Sequence, residues 1–247
     1  MSEGKLKALV GINAVHSAVK NDPGNVTGIE LSSDRKDSRI RELEALARQA
    51  GVMVRRVDRK TLDQHGRGHQ GVVAHYRGGA LLSESQLLRE LEQVDNPLVL
   101  VLDHLEDPRN FGACLRSAAA ASIDAVVYPK DRAVELTPAA RKTAAGGAEL
   151  LRLSQVVNLS RTIDGLKAAG LWVVGTAADA PQTLHEVDMT GPTVLVLGGE
   201  QQGMKRLVRE RCDHLARIPI NPAIESLNVS VAAALMMFEA QRQRAVT

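Results

Sequence analysis

The sequence predicts an α/β protein: a doubly wound parallel sheet in the larger, later part of the chain and a small α/β unit ahead of it. One observation is that apolar runs such as Leu98-Val99-Leu100-Val101-Leu102 and Val194-Leu195-Val196-Leu197 carry no polar alternation. Strands read this way when both faces of their sheet are covered. A second is that helical segments separate these runs, giving the strand–helix alternation of parallel α/β folds. A third is size. The 247 residues, 44% of them hydrophobic, exceed the usual single domain of about 100–150 residues and leave room for two.

Residues 11–20 read as a short helix and 26–31 as a strand. Ile40, Leu43, Leu46 and Ala47 form a helical stripe that stops at Gly51, a residue suited to the left-handed turn after a helix. Residues 52–54 and 71–74 read as two further short strands, completing a unit over 1–76. Residues 77–96 read as a linker. Tyr76-Arg77-Gly78-Gly79-Ala80 breaks the pattern, and Ser83 with Gln86 has capping-box spacing that opens a helix reaching Gln93. In the second domain, 97–247, strands are expected at 98–102, 125–128, 171–174, 194–197 and 215–218. Helices are expected at 110–121, 138–145, 159–169, 204–211 and 229–244.

Composition excludes several function classes. Aromatic residues are 2% of the chain, too few for modules that stack RNA bases on sheet aromatics. No stretch approaches the roughly 18–20 apolar residues of a membrane span, and the N-terminus lacks a signal-peptide core. Cys114 and Cys212 form no CxxC, so a cytoplasmic protein with reduced thiols is expected, the cysteines acting as small apolar residues. His65, His69 and His75 match no zinc spacing and no Cys or paired acid completes the set, so no metal site is expected. Net charge is +2 but uneven: residues 1–76 hold 13 basic against 9 acidic side chains, and 77–247 hold 18 against 20. The excess is densest in Arg48, Arg55, Arg56, Arg59, Lys60 and Arg67, a cluster able to attract phosphates, or simply a solvated face.

Three later stretches can carry chemistry. The first, 102–117, follows a strand and opens a helix, and it holds Asn110, Gly112 and Arg116, the last one turn beyond Gly112 and on its face. The second, Leu197-Gly198-Gly199-Glu200-Gln201-Gln202-Gly203-Met204-Lys205, is a glycine-rich turn able to present backbone amides. It lacks the Lys-Ser/Thr pair of a nucleotide-triphosphate loop, and no GxGxxG follows an early strand. The third, 218–234, is a proline-stiffened loop holding Ser226, Leu227 and Asn228 ahead of an alanine-rich helix. Taken singly, each is equally well a helix cap, a structural turn or a tight helix seat.

Together and in this order they resemble the SpoU/TrmH group of SPOUT RNA 2′-O-ribose methyltransferases. Asn110, Gly112 and Arg116 carry the first match, Gly198-Gly199-Glu200 and Gly203 the second, and Ser226, Leu227 and Asn228 the third. Residues 11–15 and 69–74 are similar to the substrate-binding domain of the bacterial branch, so 1–76 is expected to bind RNA. The resemblance implies a SPOUT-type parallel sheet with a C-terminal trefoil knot, an exception among proteins. It implies methylation, with S-adenosyl-L-methionine, of the ribose 2′-hydroxyl of a guanosine in large-subunit (23S) rRNA. The alternatives are another rRNA or tRNA nucleotide, or a non-catalytic RNA-binding assembly factor.

The same resemblance implies catalytic roles for Arg116, Asn110, Glu200, Ser226 and Asn228. It implies cofactor contacts at Gly198, Ile218 and Leu227, with Thr176 a weaker candidate. The implied partners are 23S rRNA or its precursor particle and a second copy in a homodimer, with no membrane. A guanidinium essentially never loses its proton. Arg116 is therefore expected to clamp phosphate and steady developing alkoxide, with Glu200 or a phosphate oxygen accepting the proton.

Overall fold

The computed structural model describes residues 6–66, 68–77, 81–131, 134–200 and 202–246. Arg67, Gly78-Gly79-Ala80 and Gln201, which the sequence reading uses, lie outside them. Two compact units form: residues 1–80 with 141–150, and residues 81–140 with 151–247.

The first unit carries a four-stranded sheet in the order β1-β4-β2-β3. Its elements run β1 (Leu6–Val10), α1 (Ile12–Asn21), β2 (Val26–Ser32), α2 (Ser38–Gln49), β3 (Val54–Val57), α3 (Arg59–Asp63) and β4 (Val72–Arg77). The predicted stripe on α2 turns Ile40, Leu43 and Ala47 inward, against Leu9, Val15, Ile29, Leu31 and Tyr76. Gly51 follows α2 at φ 70°, the left-handed conformation that ends the helix. The expected strands at 52–54 and 71–74 are displaced to β3 and β4. β3 is an edge strand with Arg55 and Arg56 exposed, so its polar residues hid its extent.

The second unit is built on a seven-stranded, wholly parallel sheet in the order β7-β6-β5-β10-β8-β11-β9. It opens with α4 (Glu84–Leu91), β5 (Leu98–Asp103), α5 (Pro108–Ala120), β6 (Ala125–Pro129) and the start of α6 (Pro138–Ala144), whose residues 141–144 belong to the first unit. After α7 (Gly147–Leu150), which belongs to the first unit, come β7 (Arg152–Val156), α8 (Leu159–Ala168), β8 (Trp172–Thr176) and β9 (Gln182–Thr183). The chain ends with β10 (Thr193–Gly198), α9 (Arg206–Arg209), β11 (His214–Arg217) and α10 (Val229–Val246). Every residue of β5 and β6 is buried, as a sheet covered on both faces requires.

Residues 81–96, expected within a linker, are part of the second unit. The capping box forms: the Gln86 N–H donates to Ser83 Oγ at 3.3 Å, and the Ser83 N–H donates to Gln86 Oε1 at 2.9 Å. Leu87 and Leu91 of α4 pack into the core with Val99, Val127 and Ile163. The helix expected at 204–211 shrinks to α9, because the Lys205 N–H is held at 2.7 Å by the buried Asp103 carboxylate while its backbone is extended.

The C-terminal helix is fastened at its far end by Arg244. Its guanidinium donates to four backbone carbonyls: Met189 (3.1 Å), Asn96 (2.9 Å), Pro97 (3.3 Å) and Gly191 (2.6 Å). A charge-assisted hydrogen bond of this kind contributes about 1.5–3 kcal/mol net. Arg244→Ala is expected to destabilise the protein by roughly 2–3 kcal/mol in urea unfolding, and Arg244→Lys to recover only part of it, because an ammonium lacks the planar fork.

Candidate functional site

Parallel sheets bind ligands beyond the carboxyl ends of their strands, where strand order reverses. Here β5 leads outward to β6 and β7, while β10 and β8 lie on its other side, so the reversal falls between β5 and β10. The carboxyl ends of β8, β10 and β11 meet the start of α10 around one cavity of about 280 Å3. Thr176, Leu197, Gly198, Gly199 and Ile218 line it from the strand ends. Ser226, Leu227 and Ala232 line it from the loop before α10 and its first turns.

The glycine turn shapes this cavity by close approach. A Cβ on Gly198 would lie 1.9 Å from the Gly203 carbonyl carbon and 2.0 Å from the Met204 nitrogen. A Cβ on Gly199 would lie 2.4 Å from the His104 carbonyl oxygen. Gly203 takes φ 64° and its N–H donates back to the Gly199 carbonyl at 3.1 Å, so the turn folds onto itself. Only residues without side chains fit at 198 and 199.

Beside it lies a second, more polar cavity of about 500 Å3, lined by His104, Asn110, Glu200 and Lys205 among others. A chain of hydrogen bonds joins the two. The Asn228 amide donates to Asn110 Oδ1 at 3.0 Å, and the Asn110 amide donates to Glu200 Oε1 at 2.7 Å. Asn228 Oδ1 is itself fixed by the Ser230 N–H at 2.9 Å and hydroxyl at 2.6 Å. These bonds fix which way both amides point. Among the described residues the second carboxylate oxygen of Glu200 has no hydrogen-bond partner, although the residue is exposed.

Of the residues the sequence singles out, Asn110, Glu200 and Asn228 are thus brought together, and Gly198, Ile218, Leu227, Ser226 and Thr176 share the smaller cavity. Arg116 is set apart. It lies exposed on α5, lines neither cavity and makes no hydrogen bond or ion pair among the described residues. Sequence reasoning assigned nothing to Asp103, His104 and Lys205. Asp103 is fully buried at the end of β5; it meets the His104 ring, whose other nitrogen meets Lys205 Nζ. An Asp closing a wholly apolar strand was the available signal. Burial pushes the Cys114 thiol up to about 12, with the Glu200 charge adding to it, and raises Cys212 to about 11, so neither is a thiolate nucleophile.

In the first unit the basic cluster divides. Arg56 is committed to the fold: its guanidinium bonds Glu44 at 2.7 and 2.9 Å and the Ser32 carbonyl at 3.0 Å. Arg48, Arg55, Arg59 and Lys60 are exposed without such partners among the described residues.

Residues 97–238 match the SpoU rRNA Methylase family, and residues 8–78 match the RNA 2′-O ribose methyltransferase substrate-binding family. The chain is 45% identical, over 97% of its own length and 97% of the relative's, to the 23S rRNA (guanosine-2′-O-)-methyltransferase RlmB of Pseudomonas syringae pv. tomato. Its fold is similar to the SpoU methyltransferase AviRb of Streptomyces viridochromogenes in complex with the cofactor AdoMet. There the TM-score is 0.79 at 23% identity, covering 97% of this chain and 91% of that one. It is also similar to a crystallised RNA 2′-O ribose methyltransferase, with TM-score 0.79 and 26% identity over 98% and 90% of the two chains. The two family matches together span nearly the whole sequence, and the chain belongs to the SpoU rRNA methylase family.

Proposed function

We infer that the chain is an S-adenosylmethionine-dependent enzyme that methylates the ribose 2′-hydroxyl of a guanosine in 23S rRNA. The observation that carries this reading is the hydrogen-bonded chain Asn228–Asn110–Glu200 at the rim of the glycine-walled cavity. The target follows the RlmB relative, which this chain matches end to end. Work on rRNA fits a cytoplasmic location, and among the described residues no helix is long and apolar enough to cross a membrane.

The cavity suits the cofactor. Leu197, Ile218 and Leu227 offer apolar walls for a flat ring, and the bare backbone at Gly198 and Gly199 leaves space that a Cβ would fill. S-adenosylmethionine, when bound, supplies an electrophilic methyl group on a cationic sulfur. The chain's own residues manage the ribose. The hydroxyl must lose a proton as its oxygen becomes the nucleophile. Glu200, with one oxygen held by Asn110 and the other free, accepts that proton. Asn228 and Ser230 keep Asn110 in the orientation that donates, and Ser226 lines the cavity as a further polar contact. Holding the oxygen in line supplies about 7–11 kcal/mol of barrier lowering.

Arg116 clamps the adjacent phosphate and serves in a homodimer, reaching the cavity of the partner copy. Two features support this. Arg116 is exposed and outside its own cavities. On α10, Val231, Leu235 and Phe238 are 47%, 43% and 50% exposed at helical spacing. Full burial of such a side chain contributes about 1.5–3 kcal/mol, so this stripe favours a partner. A trefoil knot in the C-terminal part belongs to the same reading, supported by the family match over residues 97–238. The first unit binds RNA through Arg48, Arg55, Arg59 and Lys60, with affinity rather than sequence choice from these charges.

Labelled methyl transfer to total rRNA, followed by mapping, is expected to find one guanosine ribose; absence of transfer would sink the reading. In the same assay Arg116→Lys should lower turnover on the order of 10²–10³-fold, the cost of losing a fixed stabilising donor. Gly198→Ala, which drives a methyl into the Gly203–Met204 peptide, is expected to abolish cofactor binding in calorimetry and to destabilise by about 1–3 kcal/mol. Combined charge reversal of Arg55, Arg59 and Lys60 to Glu should weaken RNA binding and flatten its salt dependence by roughly one unit of slope for each phosphate no longer neutralised. Cofactor binding should be unchanged.

A further inference from the structure

One acid in the first unit is left incompletely satisfied, and two imidazoles face it. Ile29 and Leu31 of β2 turn into the core, so Glu30 between them projects from the opposite face of the sheet. On the neighbouring β4, His75 pairs with Gly28 and therefore points to that same face. His65 arrives from the turn after α3, whose Leu62 is fully buried. Glu30 Oε1 lies 3.2 Å from His75 Nε2, and Glu30 Oε2 lies 3.7 Å from His65 Nε2. The two rings stand edge to face, 5.7 Å between centroids and 75° apart. Glu30 Oε2 is buried and has no hydrogen-bond partner, an arrangement that is costly unless something else meets the charge.

We propose that Glu30, His65 and His75 bind a divalent transition-metal ion of the zinc class. One ligand atom from each lies within 4.8 Å of the others. Ligands at about 2.0–2.2 Å around a tetrahedral ion sit roughly 3.3–3.6 Å apart, so a small closing movement completes the set, with water in the fourth position. Two ring nitrogens with one carboxylate select zinc-like ions over calcium or magnesium, which take oxygen ligands. His69 is not a ligand. Its Nδ1 accepts the Gly71 N–H at 2.9 Å and its Nε2 meets Asp63 Oδ1 at 3.0 Å.

The ion ties α3 to the sheet. This helix has five residues and no side-chain cap, and Gly66 and Gly68 beyond it take φ 109° and 96°. So short a helix has little stability of its own. The clamp fixes the segment that bears Arg59 and Lys60.

The test is titration of the chelator-treated full-length protein with Zn2+ by calorimetry and thermal melting, and with Co2+ by visible absorption. Expected are one ion per chain, a raised melting temperature and a tetrahedral Co2+ spectrum. His65→Ala and Glu30→Gln should each weaken Zn2+ binding beyond the roughly 10–100-fold that loss of an outer-shell partner costs. His16→Ala should leave it unchanged. His65→Ala removes a turn residue, and its fold is checked by its unshifted melt without metal. Absence of saturable binding, or equal affinity in wild type, His65→Ala and Glu30→Gln, would overturn the site and leave a plain His–Glu ion pair.

Discussion

At the end of β10 the backbone of Gly198 lies against the Gly203–Met204 peptide with no space for even a methyl group. That contact folds the 198–204 turn back on its own strand and sets where everything near it can be. It holds Glu200 at the mouth of the turn, between the two cavities. It also leaves backbone as the wall of the smaller cavity. Gly199 repeats the condition one residue later, against the His104 carbonyl. His104 meets it in the left-handed region, at φ 59°. Two chain segments therefore bend to accommodate one another, and a side chain at either glycine would separate them.

A buried acid keeps this arrangement from relaxing. Asp103, without solvent exposure, accepts the Lys205 N–H at 2.7 Å and meets the His104 ring. It thereby joins the end of β5 to the far side of the glycine turn. Burying a carboxylate is expensive unless hydrogen bonds satisfy it, so the turn and the strand end are stable together and costly apart. The site rests on two strand ends that are neighbours in the sheet yet distant in sequence, β5 and β10. The amide chain from Asn228 through Asn110 to Glu200 then ties the start of α10 to the same place.

Much of this was legible in the sequence for a physical reason. Strands buried on both faces must be apolar throughout, so β5, β6 and β10 stand out as runs. Edge strands need not be, and β3, with two exposed arginines, was misplaced while β1, β7 and β9 were not anticipated. Glycines at 198, 199 and 203 were legible as a turn, but the sequence could not say what they press against. Asp103 went unassigned because a lone acid at a strand end has many readings until Lys205 closes on it. Glu30 was missed because pairing of β2 with β4, not proximity in sequence, carries it to His75.

The position of Arg116 separates two demands that one surface cannot meet. A cavity that aligns a hydroxyl with a methyl donor works best when water is kept out, because excluded water strengthens each hydrogen bond within it. A guanidinium proposed to capture the phosphate of an incoming RNA has to be reachable from solvent beforehand. On one chain these requirements conflict: Arg116 is exposed on α5, and Glu200 and Asn228 at the rim are exposed as well. α5 and α10 pack together, and α10 leaves Val231, Leu235 and Phe238 half-exposed. The proposed pairing of two copies across that stripe would reconcile the demands, since the cation of one copy stays free for RNA while serving the cavity of the other. Under the proposed homodimer, Arg116 would act on the cavity of the partner copy, so pairing would belong to the chemistry.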